Sequence, residues 1–395
     1  MKFAHMADVH IGGWRESELK ELGIKALKEA IKKCIEAHTA FILISGDLFN
    51  TALPSIELIR ETAAVLREAR DHDISIYMIP GSHDFSPSGK TMLDVLEKAG
   101  LIEIVGKFDE NGKLMFTEDK TGIKITGLLG KKGGLEIKDY EELDKKHLEE
   151  EQGFKIWMFH TALTEFKPED MAKMDSLSVA SLPKNFNYYA GGHVHYIFQK
   201  KENDSLITFP GALFPNNFKE LEEFKHGGFY IVDEKLNYEY VPVKLKEVLS
   251  YSFDANNKTP EEVKGEILST VSGYEDKIVT IRVKGVLKSG KPSDINFKEI
   301  FSELESAYCV LKNTNKLTTK EFEELEVDTG NVEDMEHKII QEHIGQIEFM
   351  NKEEEQKVTK ELMESLDKEK EEGEKNADFE LRVVKDAVEL LKVKL

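Results

Sequence analysis

Tyr188-Tyr189-Ala190-Gly191-Gly192-His193-Val194-His195 is the stretch on which the reading of this chain turns. A run of strand character ends in two glycines, and two histidines follow at alternate positions. His-x-His places both imidazoles on one side of an extended segment, where both can reach one site. Working outward, four more segments put metal-type ligands directly behind an expected strand: Asp8-Val9-His10, Gly46-Asp47, Gly81-Ser82-His83-Asp84 and His160. In open α/β sheets the carboxyl ends of the strands line the functional crevice, so ligands distant in sequence converge there. Gly46, Gly81, Gly191 and Gly192 permit the tight turns that aim them inward.

The surrounding pattern is that of an α/β protein. Phe41–Ile44, Ile74–Ile79, Ile156–Phe159 and Tyr188–Ala190 read as buried strands, and Ile56, Ile59, Ala63 and Leu66 recur between the first two at helical spacing. Alternation of this kind over 200 residues predicts a sandwich flanked by helices. Later strands pair around Glu202-Asn203-Asp204-Ser205, and Gly227–Val232 with Tyr238–Val243 reads as a hairpin. We place a first domain at 1–245 and a non-periodic connection near 246–258. A small α/β domain at 250–320 reads helix, strand, helix, strand, with Ile278–Val283 its clearest strand. A helical region follows at 330–395, where Ile339, Ile340, Ile344 and Ile347 form one stripe and Val384, Ala387, Val388 and Leu391 another. The Glu/Lys-rich piece around Lys368–Asn376 reads as a solvated helix face or linker.

Composition narrows the function classes. No apolar run approaches the roughly 18 residues needed to span a bilayer, and the N-terminus lacks a signal-peptide pattern. Cys34 and Cys309 do not make a disulfide framework; Cys34 falls on the apolar stripe Leu27, Ala30, Ile31 and reads as core. A cytoplasmic location is expected. The net charge of −21 argues against a polyanionic substrate, but residues 321–395 hold 11 Lys+Arg against 24 Asp+Glu and so carry −13 of it. The body is far closer to neutral and can still present a basic path.

The ligand set combines imidazole and carboxylate without thiolate, which suits manganese, iron or zinc better than calcium or magnesium. Two such ions about 3.5–4 Å apart can clamp a phosphoryl oxygen and activate water for in-line attack. Asp47 is the natural bridging carboxylate. A lone histidine is usually a core or surface residue, and His5, His38, His72, His147, His226, His337 and His343 are read that way. The strand-end set, in its order and context, points to a dimetal site of Asp8, His10, Asp47, His160, His193 and His195.

The order of these segments resembles Asp-x-His, Gly-Asp, Gly-Asn-His-Asp, His, Gly-His-x-His, that of the calcineurin-like metallophosphoesterases. More narrowly, His5-Met6-Ala7-Asp8-Val9-His10, Gly46-Asp47-Leu48-Phe49, Tyr188–His195, Phe209-Pro210-Gly211-Ala212 and Gly227-Gly228-Phe229 resemble the SbcD-type nuclease subunits of double-strand-break repair, in an archaeal form. The resemblance covers residues 1–245 well and the remainder by arrangement. It implies a two-sheet metallophosphoesterase sandwich with a capping domain and a helical tail. One metal would sit at Asp8, His10, Asp47 and His195, the other at Asp47, Ser82, His160 and His193. His83 would face the scissile phosphate as the catalytic residue. Asp84 would orient a histidine, with a turn-capping role as its alternative. Position 82 is a departure: the wider family has Asn, and the shorter Ser hydroxyl should bind the second metal more weakly.

Ser88-Gly89-Lys90-Thr91 ends like a P-loop, but Asp84 stands where its first glycine belongs, so ATP binding is not expected. Lys90 can touch a nucleic-acid phosphate, as can Arg282 and Lys284 among the basic residues of the small domain. Gly46-Asp47 lacks the Asp-Arg-Gly continuation expected of protein phosphatases. The resemblance implies two divalent ions, manganese by preference; DNA as substrate, whether ends, duplex or single strands; a homodimer; and an SbcC-type coiled-coil ATPase docked on the C-terminal helices. No membrane association is expected. The expected activity is a manganese-dependent exo- and endonuclease. The alternatives are a generic dimetal phosphodiesterase and a scaffold bridging DNA and ATPase, its catalysis weakened at Ser82.

Overall fold

The computed structural model describes residues 1–84, 91–202, 204–319, 340, 344, 351–367 and 376–391. The chain divides into two compact units after Val248.

The first unit opens with β1 (Lys2–Met6), α1 (Ser17–Glu36), β2 (Phe41–Ser45), α2 (Ile56–Asp71) and β3 (Ser75–Ile79), its three strands mutually parallel. Helix α1 forms because Leu19, Leu22, Ala26, Leu27, Ala30, Ile31 and Cys34 recur on one buried face, which confirms Cys34 as core. Helix α2 differs from the sequence reading. Its buried face is Thr62, Val65, Leu66 and Ala69, while Ile56 is 78% exposed. Ser55 caps the helix start by accepting from Leu58 N, which leaves Ile56 in the first turn, away from the core.

Helix α3 (Met92–Lys98) and β4 (Glu103–Ile104) follow, then β5 (Thr117–Glu118), β6 (Lys124–Leu128), α4 (Glu136–Glu142), α5 (Lys146–Glu150), β7 (Lys155–His160), β8 (Tyr188–Gly192), β9 (Phe198–Glu202) and β10 (Ser205–Phe209). Helix α6 (Phe218–Phe224) precedes the hairpin β11 (Gly227–Asp233) and β12 (Tyr238–Val243). The strands form two six-stranded sheets, ordered β12-β11-β1-β2-β3-β4 and β5-β6-β7-β8-β10-β9. Each has a parallel centre.

The period-2 alternation of side chains explains the layering. Ile156 and Met158 join Phe3, Phe41, Leu43, Tyr188 and Leu206 in the core between the sheets. Trp157 and Phe159 point the other way, into a second core with Tyr140, Leu148 and Phe186. Both faces of β7 are therefore dry, as expected of a central parallel strand.

The second unit contains β13 (Val248–Asp254), α7 (Pro260–Thr270), β14 (Ile278–Leu287), α8 (Phe297–Glu303) and β15 (Cys309–Thr319), with sheet order β13-β14-β15. Strand β13 occupies the stretch that sequence reasoning reads as a connection. Its alternating Ser250 and Ser252 hide the strand, yet Phe253 is buried in the core with Val279, Ile281, Val283, Val263 and Ile267. Helices α9 (Lys352–Leu366) and α10 (Asn376–Leu390) pack on each other. Ile339 and Ile347 of the first tail stripe, Lys90, and residues 368–375 of the charged piece lie outside the described residues. No helix among those described is long and apolar enough to cross a membrane.

Candidate metal centre

The strand ends deliver the ligands, though not as extended segments. β1 stops at Met6 and β8 at Gly192, and Asp8, His10, Asp47 and His193 all have positive φ, at 50°, 47°, 51° and 84°. Left-handed turns at the ligands themselves, rather than strand alternation, aim these side chains. Each such non-glycine residue costs roughly 1–2 kcal/mol, a strain that persists only where the surroundings impose it. Here they do: His10 N donates to Asp47 O (2.9 Å), Asp8 N to Gly46 O (3.2 Å), and His193 N to both Asp8 carboxylate oxygens (3.0 and 3.1 Å).

The glycines serve a different purpose from the one their sequence context suggests. Gly46 does turn left-handed, but Gly81, Gly191 and Gly192 do not, and they are needed for space. A Cβ on Gly192 would lie 1.9 Å from Ser45 O, and one on Gly81 2.2 Å from Asp47 Oδ1. The backbone approaches that close the site leave no room for a side chain.

Asp8, His10 and His195 each offer one ligand atom, all within 4.8 Å of one another, and so do Asp8, Asp47 and His160. His10, Asp47 and His83 form a third such group. Asp47 is central: His160 Nε2 lies 3.1 Å and His10 Nε2 3.7 Å from its Oδ2, and its Oδ1 accepts from His83 N at 2.8 Å. Ser82 Oγ reaches Asp47 Oδ2 at 3.5 Å, the limit of a hydrogen bond. His193 falls in none of the three groups; its ring lies beside His160, with centroids 5.2 Å apart.

Proton accounting shows that this set fits divalent cations. His160 Nδ1 can only donate to Ser45 O (2.8 Å), so Nε2 is the atom left to take a cation, proton or metal, beside the Asp47 carboxylate. His195 Nδ1 faces Glu220 Oε1 at 2.7 Å, which leaves its Nε2 bare, 3.1 Å from His10 Nε2. His10 Nδ1 and His160 Nε2 are buried without a hydrogen-bond partner. The field is cation-seeking as well. Burial pushes the His160 imidazole down, but Asp47 and Asp8 outweigh it and raise it to about 10. Burial likewise opposes, and Glu220 and Asp8 overcome it, in raising His195 to about 9. Burial pushes Asp8 up to about 6, against the pull of His195 and His160. At His160 and His195 the pocket thus favours positive charge, whereas burial, helped by the neighbouring imidazoles, pushes His10 down and His193 down to about 3, so that these two rings stay neutral as a metal ligand must.

His83 differs from its neighbours. Its Nδ1 donates to Asn50 O at 2.8 Å, which fixes the ring and leaves Nε2 available. It lines a cleft of about 300 Å3 with Ser82, His193, Lys131, Lys132 and Asp175. Among the described residues Asp84 faces no histidine. Its carboxylate accepts from Leu48 N, Phe49 N and Gly81 N, all at 3.1 Å, and so ties the β2 loop to the β3 loop as the turn-capping alternative requires. The histidine-orienting carboxylate is Glu220, which sequence reasoning missed. Only its position three residues after Asn217, at the start of α6, could have flagged it as a capping group. Arg282 and Lys284 lie on β14 in the second unit, Lys284 paired in register with Lys316.

Residues 1–196 match the calcineurin-like phosphoesterase family model. The DNA double-strand break repair protein Mre11 of Archaeoglobus fulgidus is 25% identical over 96% of this chain and 93% of its own length. That of Methanococcus maripaludis is 28% identical over 66% and 71%, and that of Methanocaldococcus jannaschii 30% identical over 65% and 73%. With the two-sheet sandwich and the ligands at its strand ends, these matches place the chain: it belongs to the Mre11 family of calcineurin-like, metal-dependent phosphodiesterases.

Proposed function

We propose that this protein is a manganese-dependent DNA exo- and endonuclease that processes double-strand breaks together with an SbcC-type coiled-coil ATPase. The observation that carries the reading is the convergence of Asp8, His10, Asp47, His160 and His195, whose ligand atoms gather in groups of three within 4.8 Å of one another, beside a cleft lined by His83. The relatives' names, which specify double-strand-break repair, support DNA as the substrate.

Asp8, His10, Asp47 and His195 would hold one ion, and Asp47, Ser82, His160 and His193 the other. Bound there, the pair supplies Lewis acidity and an activated water for in-line attack on the phosphodiester. His83, anchored through Asn50 O, points its free Nε2 at the cleft, to stabilise the transition state or protonate the leaving oxygen. Glu220 holds His195 in the tautomer that presents Nε2. Arg282 and Lys284 would contact the DNA backbone; the juxtaposition of Lys284 with Lys316 favours an anionic partner. Self-association as a homodimer is implied by the resemblance to the SbcD-type nucleases.

The test incubates purified protein with manganese and linear duplex DNA, comparing wild type with His83→Ser. Cleavage lost in the variant supports the nuclease. Turnover of small diesters but not DNA would make the protein a generic phosphodiesterase. A second reading rests on Ser82, whose hydroxyl is directed at Asp47. Absence of cleavage, with DNA and ATPase binding intact, would favour a scaffold weakened at that position.

A further inference from the structure

Four side chains outside the ligand set form a continuous hydrogen-bonded chain between the two sheets, and its protons can be assigned. Ser45 Oγ donates to Ala190 O at 3.0 Å, so toward His5 it can only accept. His5 Nε2, 3.0 Å away, therefore carries a hydrogen. His5 Nδ1 is then a lone pair that accepts from Tyr188 or Thr208, whose hydroxyls are each 2.9 Å away. Those hydroxyls are 2.5 Å apart, so the second donates to the first. All four residues are fully buried, and burial holds His5 down to about 3, hence neutral. A polar network in so dry a place is costly to leave incomplete.

Its position gives it a consequence. His5 is on β1, Ser45 on β2, Tyr188 and Ala190 on β8, and Thr208 on β10. Asp8 follows His5 by three residues, Asp47 follows Ser45 by two, and His193 follows Ala190 by three. The Ser45 carbonyl, in turn, receives His160 Nδ1. Three ligand-bearing strand ends and the acceptor that orients a fourth ligand are pinned by one imidazole.

We infer that His5, acting through Ser45, is a positioning residue of the metal centre: it fixes the Ser45 peptide so that His160 presents Nε2 beside Asp47. The inference rests on the dimetal reading above. It is distinct from a packing role, in which loss of His5 would lower stability and leave metal selectivity alone.

The test titrates manganese into metal-free, full-length protein by calorimetry, with electron paramagnetic resonance to detect a coupled ion pair and thermal unfolding of the metal-free form alongside. His160→Ala identifies the ion that depends on that imidazole. In His5→Leu and Ser45→Ala that same ion should bind about tenfold more weakly or worse, while the other stays within about twofold, the range typical of lost outer-shell partners. His5→Gln, whose amide can still donate to Ser45 Oγ, should restore binding and the coupled signal even where its melting temperature stays low. Unchanged binding of both ions in Ser45→Ala would overturn the inference, and that variant decides it should His5→Leu fail to fold. Equal weakening of both ions without rescue by Gln would overturn it in favour of packing. A wild type that binds fewer than two ions would overturn the dimetal reading itself, and the inference with it.

Discussion

Glu220 joins a helix start to a metal-type ligand: one carboxylate oxygen accepts from Asn216 N at 2.7 Å, and the other faces His195 Nδ1. Removing it frees the His195 ring to change tautomer and leaves that imidazole less basic. Glu220→Ala should therefore weaken manganese at Asp8, His10 and His195 by about 10–100-fold, read by calorimetry. Affinity equal to wild type would show that His195 is held by other means. Ser82→Asn tests the other half of the site, because an amide oxygen reaches beyond the present 3.5 Å contact with Asp47. It should tighten the ion shared with His160 and raise the nuclease rate; no change in either would refute the weakness assigned to serine. At this scale the sequence is informative about residues with metal chemistry of their own, because Asp-x-His and His-x-His declare themselves. It is silent about Glu220, Ser45 and Asn50, whose roles depend on which backbone or ring the fold brings against them. Asp84 is the converse: it sits inside a ligand motif, yet its three partners are backbone amides.

Between residue and molecule stand the strand ends. The parallel centre of each sheet is legible as apolar runs, since both faces of β2 and β7 are dry. Strand β13 is not, because its serines face away from the core and break the run. Nor is the left-handed turn at Asp8, His10, Asp47 and His193: Asp and His adopt it more readily than most residues, but nothing in their type says at which positions they do. Gly192 and Gly23 make a matched pair for testing how tightly these ends are set. A methyl on Gly192 meets Ser45 O at 1.9 Å, whereas Gly23, inside α1, has nothing within 4 Å. Gly192→Ala should destabilise by about 1–3 kcal/mol through overpacking and disturb metal binding. Gly23→Ala should stabilise by roughly 0.5–1 kcal/mol from helix propensity and reduced chain entropy. Denaturant unfolding of both variants checks the contrast; a Gly192→Ala variant as stable as wild type would mean that the strand ends yield.

Across the whole chain, negative charge is concentrated by sequence position. The last 75 residues hold −13 of the −21. Helix α10 leaves Val384 56% exposed, and α9 leaves Leu366 56% and Met363 39% exposed. Packing of these helices on each other thus leaves apolar side chains facing water, in a setting too acidic to attract DNA. A protein partner that offers an apolar groove is the occupant consistent with both facts, and that is the role proposed for the ATPase. The metal-type ligands all precede residue 196, in a unit whose two cores draw only on its own sheets and flanking elements. Truncation after about residue 325 should therefore abolish pull-down of the SbcC-type ATPase while manganese stoichiometry and affinity stay as in the full chain. It should also tighten DNA binding at low salt, because a polyanion no longer competes for the body's cations, with the gain vanishing as salt screens it. Retained pull-down would remove the tail from the partner interface. Loss of metal would show that the tail supports the catalytic unit instead.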